Sequence, residues 1–212
     1  MSAPGTEASG SDALDAGATV PRLTLAVDCA TSYLALALVD EAGRVAARFA
    51  ADVGRGHAAR LVPELETLTA AVPGWRERLA RVVAGVGPGS YTGLRVALAT
   101  ASGLARALGA ELGGAPTFAA LAAGVLAPGE EAVVTLDARR GNVYAAHCRR
   151  EPAPADAPDA APVVAVLAGP AKLPAADAGS LAPGARVAPA GVPDAAALVA
   201  AALDGPPAAV YL

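Results

Sequence analysis

The sequence predicts an α/β fold of two related lobes. Apolar runs at residues 22–28, 34–39 and 44–51, separated by short polar turns, predict three consecutive antiparallel strands. A strand that passes through a glycine-rich turn into a helix is predicted over residues 82–109. A strand, polar loop and return strand at residues 131–148 repeat the opening hairpin. This echo indicates a duplicated fold in which both hairpin turns face a shared cleft.

The two lobes are expected at residues 22–116 and 117–212. Residues 1–21 are rich in Ser, Gly, Ala and Asp without apolar periodicity, which predicts a disordered tail. A Pro/Ala-rich stretch near residues 151–162 predicts a flexible segment in the second lobe.

Other elements follow from the spacing of apolar residues. A helix after His57 is predicted to bury a stripe formed by Ala58, Leu61, Val62, Leu65, Leu68 and Val72. Pro63 is expected to start the regular helix or to kink it. A short helix over residues 117–126, a strand over 163–167 and a last helix over 195–203 complete the prediction, with loops between the last two.

Composition argues against a free-standing nucleic-acid surface. The net charge is -4 and the pI is about 5.2, whereas binding a nucleic-acid backbone needs clustered Lys and Arg. Cys29 and Cys148 lack CxxC spacing and are expected to be buried free thiols in a reducing compartment. We find no secretion signal and no apolar stretch that is long enough to span a bilayer, so we expect a cytoplasmic protein without a membrane contact.

The glycine-rich turn at residues 87–93 has two interpretations. Ser90 and Thr92 offer hydroxyls where the helix begins, and Gly109 stands where it ends. N–H groups of such a turn, beside about half a positive charge of the helix dipole, can receive a phosphate or a carbonyl oxygen. A tight turn that needs glycine only for its backbone geometry is the equal alternative. P-loop, dinucleotide and nucleophile-elbow motifs do not fit, because the stretch has no lysine and places Pro88 and Thr92 where glycines are required.

The central helix, residues 91–108, is predicted to have two packing faces. The predicted core stripe consists of Leu94, Leu98, Ala101, Leu104 and Leu108. A second face of mostly small residues consists of Val96, Thr100, Gly103 and Ala107. Because small side chains let another helix approach closely, this second face points to a partner.

Polar residues at the predicted hairpin turns are candidates for a site. Asp28 either accepts N–H groups of its own turn, which is the commoner outcome for a lone Asp, or helps to hold a hydrated metal. His57 has no histidine four residues later, so a zinc-binding pair is absent and a capping or interface role is expected. No metal is expected. The candidate nucleotide or phosphate contacts are Asp28, Thr31, Ser32, Gly87, Gly89, Ser90, Asp137 and Arg139.

Several segments resemble one family in sequence and in order. They are LAVDCAT at residues 25–31, His57 with LVP at 61–63, GPGSYTGLR at 87–95, DARRGNVY at 137–144 and VYL at 210–212. Through these motifs the chain resembles the TsaB (YeaZ) family, the bacterial tRNA threonylcarbamoyladenosine biosynthesis proteins, over roughly residues 23–212. The proline- and alanine-rich region at residues 149–193 does not follow the family pattern.

The resemblance implies an actin-like ATPase fold (ASKHA, a duplicated ribonuclease-H-like fold). It implies a non-catalytic subunit of the complex that installs N6-threonylcarbamoyladenosine next to the anticodon, which binds and activates the catalytic subunit TsaD and works with the ATPase TsaE. A homodimer is an open alternative, and tRNA is expected to be contacted only through the complex. No cofactor is implied, with ATP or ADP at the partner interface left open. The implied interface comprises His57, Tyr91, Arg95, Val96, Ala99, Thr100, Gly103 and Ala107.

An ATP-binding phosphotransferase or ATPase of the same fold is the alternative function. In that case Asp28 or Asp137 would hold Mg²⁺ while the two hairpin loops bind phosphates. No Lys or Arg accompanies Asp28 in its loop, so only Arg139 and Arg140 of the second loop could neutralise a phosphate.

Overall fold

The structure, a computed structural model, describes residues 20–203 and 207–210. The predicted tail therefore lies outside the described residues except for its last two positions. The strands are β1 (Leu23–Asp28), β2 (Tyr33–Asp40), β3 (Val45–Asp52), β4 (Leu79–Gly85), β5 (Glu111–Ala115), β6 (Glu131–Asp137), β7 (Asn142–Arg150), β8 (Val164–Pro174) and β9 (Val187–Pro189). The helices are α1 (His57–Ala70), α2 (Trp75–Arg78), α3 (Tyr91–Leu108), α4 (Thr117–Ala123), α5 (Ala197–Ala200) and a 3-10 helix (Ala175–Leu181).

The first sheet has the strand order β3-β2-β1-β4-β5. Its first three strands are antiparallel, as predicted, and β4 and β5 run parallel to β1. Ala26 lies opposite Ala37 on β2 and Val83 on β4, so the start of the chain occupies the centre of the sheet. Both faces of β1 and β2 are buried, which explains why their sequences are continuous apolar runs instead of alternating patterns.

The central helix α3 has the predicted boundaries. The Ser90 hydroxyl oxygen accepts the N–H of Gly93 at 3.2 Å and caps the helix start. Gly109 ends the helix in the left-handed conformation, with φ of 65°. Together with α1, this helix covers one face of the first sheet.

The predicted core stripe of α3 is partly wrong. The buried row is Gly93, Leu94, Ala97, Ala101 and Ala105. Leu98, Leu104 and Leu108 are only half-buried, at the flanks of this row. A Cβ on Gly93 would lie 1.9 Å from the carbonyl oxygen of Cys29, so the helix lies against the end of β1 at backbone distance. Apart from Leu94, small residues therefore face the sheet, while Leu98, Leu104 and Leu108 pack beside them.

The stripe predicted for α1 also needs correction. Leu61, Leu65 and Leu68 are buried as expected, whereas Val62 is 52% exposed and Ala58 is exposed as well. The helix has one buried stripe at three- and four-residue spacing, and Val62 lies just outside it on the solvent side. The apolar residues in the sequence cover a wider sector of the helix surface than the sector that packs against the sheet.

The second sheet has the order β8-β7-β6-β9. Its β6–β7 pair is the predicted second hairpin, with Leu136 opposite Tyr144. The strand β8 is longer than the predicted 163–167, because its pairing with β7 continues past a register shift. A 3-10 helix and β9 occupy part of the predicted loop, and α4 and α5 are shorter than expected.

A shared core joins the two sheets. Helices α4 and α5 lie between them, and Phe118, Leu121 and Leu198 are fully buried there. The same cluster contains Ala26 of the first sheet and Val134 of the second. The lobe boundary between residues 116 and 117 stays a prediction. No helix in the described part of the chain has the length and apolar character needed to cross a membrane.

Candidate functional site

An open cleft of about 810 Å³ lies where the two hairpin turns meet. The first turn contributes residues 30–33, the second contributes residues 136–139, and the start of α3 contributes Ser90, Thr92 and Gly93. The prediction that both hairpin turns face one cleft is thereby confirmed. The size falls in the range of small-molecule sites.

Asp28 is not part of this cleft. Its side chain is fully buried, with Oδ1 accepting the N–H of Ala30 at 2.8 Å and Oδ2 accepting the hydroxyl of Thr117 at 2.7 Å. Burial raises the pKa of Asp28 to about 6, against the opposing effect of these two hydrogen bonds. The carboxylate holds its own turn and the start of α4, so its predicted role as a phosphate contact is wrong for this conformation.

The glycine-rich turn is built for close backbone approach. A Cβ on Gly89 would lie 2.2 Å from the carbonyl oxygen of Ala30, and the Ser90 N–H donates to that same oxygen at 2.7 Å. Gly87 is buried with φ of 96°, and its N–H donates to the Thr117 hydroxyl at 3.1 Å. These contacts favour the tight-turn interpretation. Gly89 and Ser90 still line the cleft, whereas Gly87 does not.

Thr31 and Ser32 line the cleft with hydroxyls that have local partners. The Thr31 oxygen accepts the N–H of Tyr33 at 3.0 Å, and the Ser32 hydroxyl donates to Asp52 at 3.2 Å. Their predicted contact with a phosphate stays a prediction.

The second hairpin turn has an unusual backbone. Arg139 and Arg140 have φ of 70° and 55°, and among the described residues they are the only non-glycine positions in the left-handed region. This conformation costs about 1–2 kcal/mol per residue. Asp137 Oδ1 accepts the N–H of Arg139 at 2.8 Å, which helps to hold the turn. Asp137 and Arg139 line the cleft, and Arg140 does not.

The sequence analysis did not predict one cleft residue, Arg55, and assigned another, His57, to a different surface. Arg55 lies in the loop before α1 and had no motif to mark it. His57 was assigned to the partner interface, but it is only 6% exposed and its Nε2 lies 3.1 Å from the carbonyl oxygen of Tyr33. That burial removes His57 from the outer surface and leaves it at the wall of the cleft.

The other predicted interface residues lie on the outer side of α3. Tyr91 is 57% exposed and its hydroxyl accepts a hydrogen bond from Arg95 at 2.8 Å. Ala99, Gly103 and Ala107 are exposed, and Val96 and Thr100 are half-buried. Nothing lies within 4 Å of a Cβ built on Gly103, so this side of the helix is open.

The described residues contain neither a candidate metal-binding cluster nor an exposed cysteine thiol. No three His, Cys, Asp or Glu side chains within residues 20–203 and 207–210 gather in a way that could hold a metal ion. Cys29 and Cys148 are buried and unpaired, as predicted. Burial raises the pKa of both thiols, that of Cys148 to about 12.

Comparison with known proteins agrees with this geometry. The family model described as TsaD, tRNA N6-adenosine threonylcarbamoyltransferase, matches residues 49–167, which is more than half of the chain. The tRNA threonylcarbamoyladenosine biosynthesis protein TsaB of Escherichia coli is 34% identical over 60% of this chain, and that of Bacillus subtilis is 31% identical over 57%. The matched part spans 55% and 52% of those proteins, about half of their lengths.

A solved structure extends the likeness to the fold. YeaZ from Pseudomonas aeruginosa superposes with a TM-score of 0.67 at 23% identity, covering 84% of this chain and 89% of that one. The two sheets, the shared core and the cleft between hairpin turns therefore define a mixed α/β protein of the two-lobed actin-like class. Within that class the chain belongs to the family of the TsaD-type model, which matches more than half of it, and its relatives in this family include the TsaB proteins of Escherichia coli and Bacillus subtilis.

Proposed function

We propose that this chain is a non-catalytic subunit in the formation of N6-threonylcarbamoyladenosine beside the anticodon of tRNAs. In this role it binds the catalytic TsaD-type subunit and activates it. Family membership supports a place in this pathway, since two relatives are named as tRNA threonylcarbamoyladenosine biosynthesis proteins. We further propose a cytoplasmic location, TsaE as a second partner and contact with tRNA only through the complex.

The observation that carries this proposal is the outer side of α3. One side of this 18-residue helix contacts the first sheet at backbone distance, while the opposite side presents Ala99, Gly103 and Ala107 to solvent. Val62 is exposed on α1, which covers the same face of the sheet. A row of small side chains on an exposed helix side suits close packing by a helix of a partner. A second copy of this chain is the alternative occupant.

Asp28 and Asp137 form hydrogen bonds within the fold, and this argues against the phosphotransferase alternative. Both oxygens of Asp28 are occupied by Ala30 and Thr117, and Asp137 accepts an N–H group of its own turn. A Mg²⁺-dependent phosphoryl transfer needs carboxylates that are directed at the ion and the phosphates. We therefore propose no resident cofactor, with ATP or ADP at the partner interface as the alternative.

The test is reconstitution with a bacterial TsaD-type subunit and TsaE. We expect Gly103→Leu to weaken binding of the chain to the catalytic subunit about five- to hundredfold, because overpacking a tight contact costs about 1–3 kcal/mol. Binding is measured by titration, and product formation on tRNA is measured with and without the chain. The matched control is Gly103→Ala, whose single methyl group enters open space.

Two results would contradict the proposal. Unchanged affinity of the Gly103→Leu variant would remove α3 from the interface. Formation of threonylcarbamoyladenosine by this chain without the catalytic subunit would make the chain an enzyme. Since nothing lies within 4 Å of a Cβ at position 103 and leucine is a better helix former than glycine, the melting temperature of the variant should not fall below that of the wild type.

A further inference from the structure

A small pocket lies at the edge of the first sheet that is formed by β3, and it shares no lining residue with the cleft. Arg48 of β3 lies opposite Ala37 of β2, and Ala50 lies opposite Ala35. Residues that lie opposite each other share a face of the sheet, and the two alanines of β2 are part of the shared core. Arg48 and Ala50, in contrast, are exposed. The helical layer between the sheets therefore ends before it covers β3, and a space of about 280 Å³, here called the edge pocket, remains.

The walls of the edge pocket are mostly hydrocarbon. Besides Arg48 and Asp194, the lining side chains are apolar, and Phe49 and Val192 are the largest that are not fully buried. A Cβ on Gly124 would lie 1.8 Å from the carbonyl oxygen of Val192, so the end of α4 and the loop before α5 meet at backbone distance. Such a wall favours a ligand that brings an apolar group out of water.

A cation and an anion lie side by side in the edge pocket. Arg48 Nη1 is 3.5 Å from Asp194 Oδ2, which is at the long limit of a hydrogen bond. The arginine side chain is 68% exposed, so the attraction within this pair is weak. Asp194 is held in place, because its N–H donates to the carbonyl oxygen of Ala120 at 3.0 Å and its Oδ1 accepts the N–H of Ala196 at 3.1 Å. Among the described residues, Arg48 is the only hydrogen-bond partner of Oδ2.

A free α-amino acid carries the complementary pair of charges. Its ammonium group can only donate and its carboxylate can only accept, so the first suits Asp194 Oδ2 and the second suits the Arg48 guanidinium. Both groups are attached to one carbon atom, which matches the short distance between Arg48 and Asp194. A short apolar side chain on the same carbon contacts the hydrocarbon walls. A lone carboxylate or a lone amine engages one protein charge and leaves the other without a ligand partner, and a peptide terminus does the same.

We propose that the edge pocket binds a free α-amino acid with a short apolar side chain of about the size of valine. Asp194 Oδ2 accepts from the ammonium group, Arg48 donates to the carboxylate, and Phe49 and Val192 contact the side chain. Arg48 leaves Asp194 at small cost, because their pair is long and the arginine is largely in solvent. This inference is independent of the proposed partner role, because it concerns the edge of β3 and not the outer side of α3.

The experiment is a titration of the full chain with L-valine, followed by NMR of the backbone amides. We expect saturable shifts at Gly124 and Asp194, with a dissociation constant in the millimolar range, as suits a ligand of few atoms in an open pocket. Isovalerate lacks the ammonium group of valine, and isobutylamine lacks its carboxylate. Each should bind at least about tenfold more weakly than L-valine, through loss of one charge-assisted contact.

Two substitutions test the charged pair. Asp194→Asn and Arg48→Gln should each weaken binding of L-valine about fivefold or more. Asparagine keeps the side-chain oxygen that accepts the N–H of Ala196, so the local turn is retained. The matched control is Arg44→Gln, because the Arg44 side chain is similarly exposed, at 65%, and lies just before β3 without lining the edge pocket.

A second pair of variants tests the space and leaves both charges in place. Ala50→Leu should abolish binding, because its larger side chain occupies the edge pocket. Ala46→Leu is the control, since Ala46 is exposed on the same strand and does not line the edge pocket. A melting curve for each variant shows whether the fold is retained, and Ala50→Leu keeps the test decisive if loss of the ion pair lowers stability.

Four results would overturn the proposal. The first is absence of saturable shifts up to about 50 mM L-valine. The second is binding of isovalerate or isobutylamine as tight as that of L-valine. The third is equal weakening in Arg44→Gln and Arg48→Gln. The fourth is unchanged binding in Asp194→Asn and Arg48→Gln, which would make their pair only a connection between β3 and the loop before α5.

Discussion

Asp28 is the residue at which three elements of the fold are joined. Its carboxylate accepts from Ala30 after β1 and from Thr117 at the start of α4, and the Thr117 hydroxyl in turn accepts from Gly87 after β4. A Cβ on Gly85 would lie 1.8 Å from Asp28 Oδ2, so β4 also lies close against the carboxylate. The sequence made Asp28 a candidate ligand-binding residue, but its carboxylate instead forms hydrogen bonds that connect these three elements.

This buried carboxyl predicts a specific pH dependence of stability. The pKa of Asp28 is raised from 3.8 to about 6, so between these values the folded state binds more protons than the unfolded state. Ionisation of Asp28 thus lowers the free energy of unfolding as the pH rises, by roughly 3 kcal/mol in total for a shift of this size. Asn at this position cannot ionise, so Asp28→Asn should lose less stability than the wild type between pH 4 and 7.

The measurement is urea unfolding of both proteins across that range. The difference between them reports Asp28 together with its coupling to His57, whose charge lowers the pKa of Asp28, because the carboxyls with lowered pKa, Asp40 and Glu130, are present in both. A wild type that gains stability relative to Asp28→Asn as the pH rises would contradict the assignment.

At the scale of one element, α3 has a tight side and an open side, each marked by a glycine. The Cβ of an alanine at position 93 would collide with the Cys29 carbonyl oxygen, at 1.9 Å, whereas at position 103 it would meet no atom within 4 Å. The same substitution therefore tests the two sides of one helix.

We expect opposite effects on stability from this pair. Gly93→Ala should lower the free energy of unfolding by about 1–3 kcal/mol or more, because a packed backbone must move. Gly103→Ala should raise it by up to about 1 kcal/mol, since alanine is the better residue in a helix interior. Chemical denaturation of both variants gives the comparison. Loss of stability in Gly103→Ala would show that its side of the helix is not open.

At the scale of the whole molecule, the two sheets should unfold together. Phe118 is fully buried in the cluster that contains residues of both sheets. Phe118→Ala is expected to cost about 3–5 kcal/mol and to lower the stability of both lobes in one transition. Calorimetry with fluorescence of Trp75, which lies in the first lobe, and far-UV circular dichroism provides the test. Two separate transitions, of which only one shifts, would contradict a shared core.

Much of this fold could be predicted because its determinants are local. Ser90 and Gly109 mark the ends of α3 by capping chemistry that operates within a few residues. The two hairpins could be predicted from apolar runs that end in Asp, and their likeness placed both turns at one cleft. The family resemblance came from the same local motifs.

The remainder depended on contacts between distant segments. The approach of Gly93 to Cys29 decides which side of α3 is buried, and no helical periodicity contains that information. Arg55 and His57 reach the cleft because α1 begins beside the first hairpin turn. The length of β8 was missed because Gly169 and Pro170 interrupt its apolar pattern, while its partner β7 continues the pairing.

The layer that joins the sheets is built mostly of alanine, including Ala119, Ala120, Ala122 and the run 195–197. Alanine has no rotamers to lose when it is buried, so the alanines of this joint are buried without a loss of side-chain entropy. It also has no alternative rotamers through which the two sheets could slide or rock. We therefore expect a stiff joint, with the width of the cleft largely set before any ligand binds. Binding there should resemble insertion into a preformed slot, with little of the binding free energy used to close the lobes.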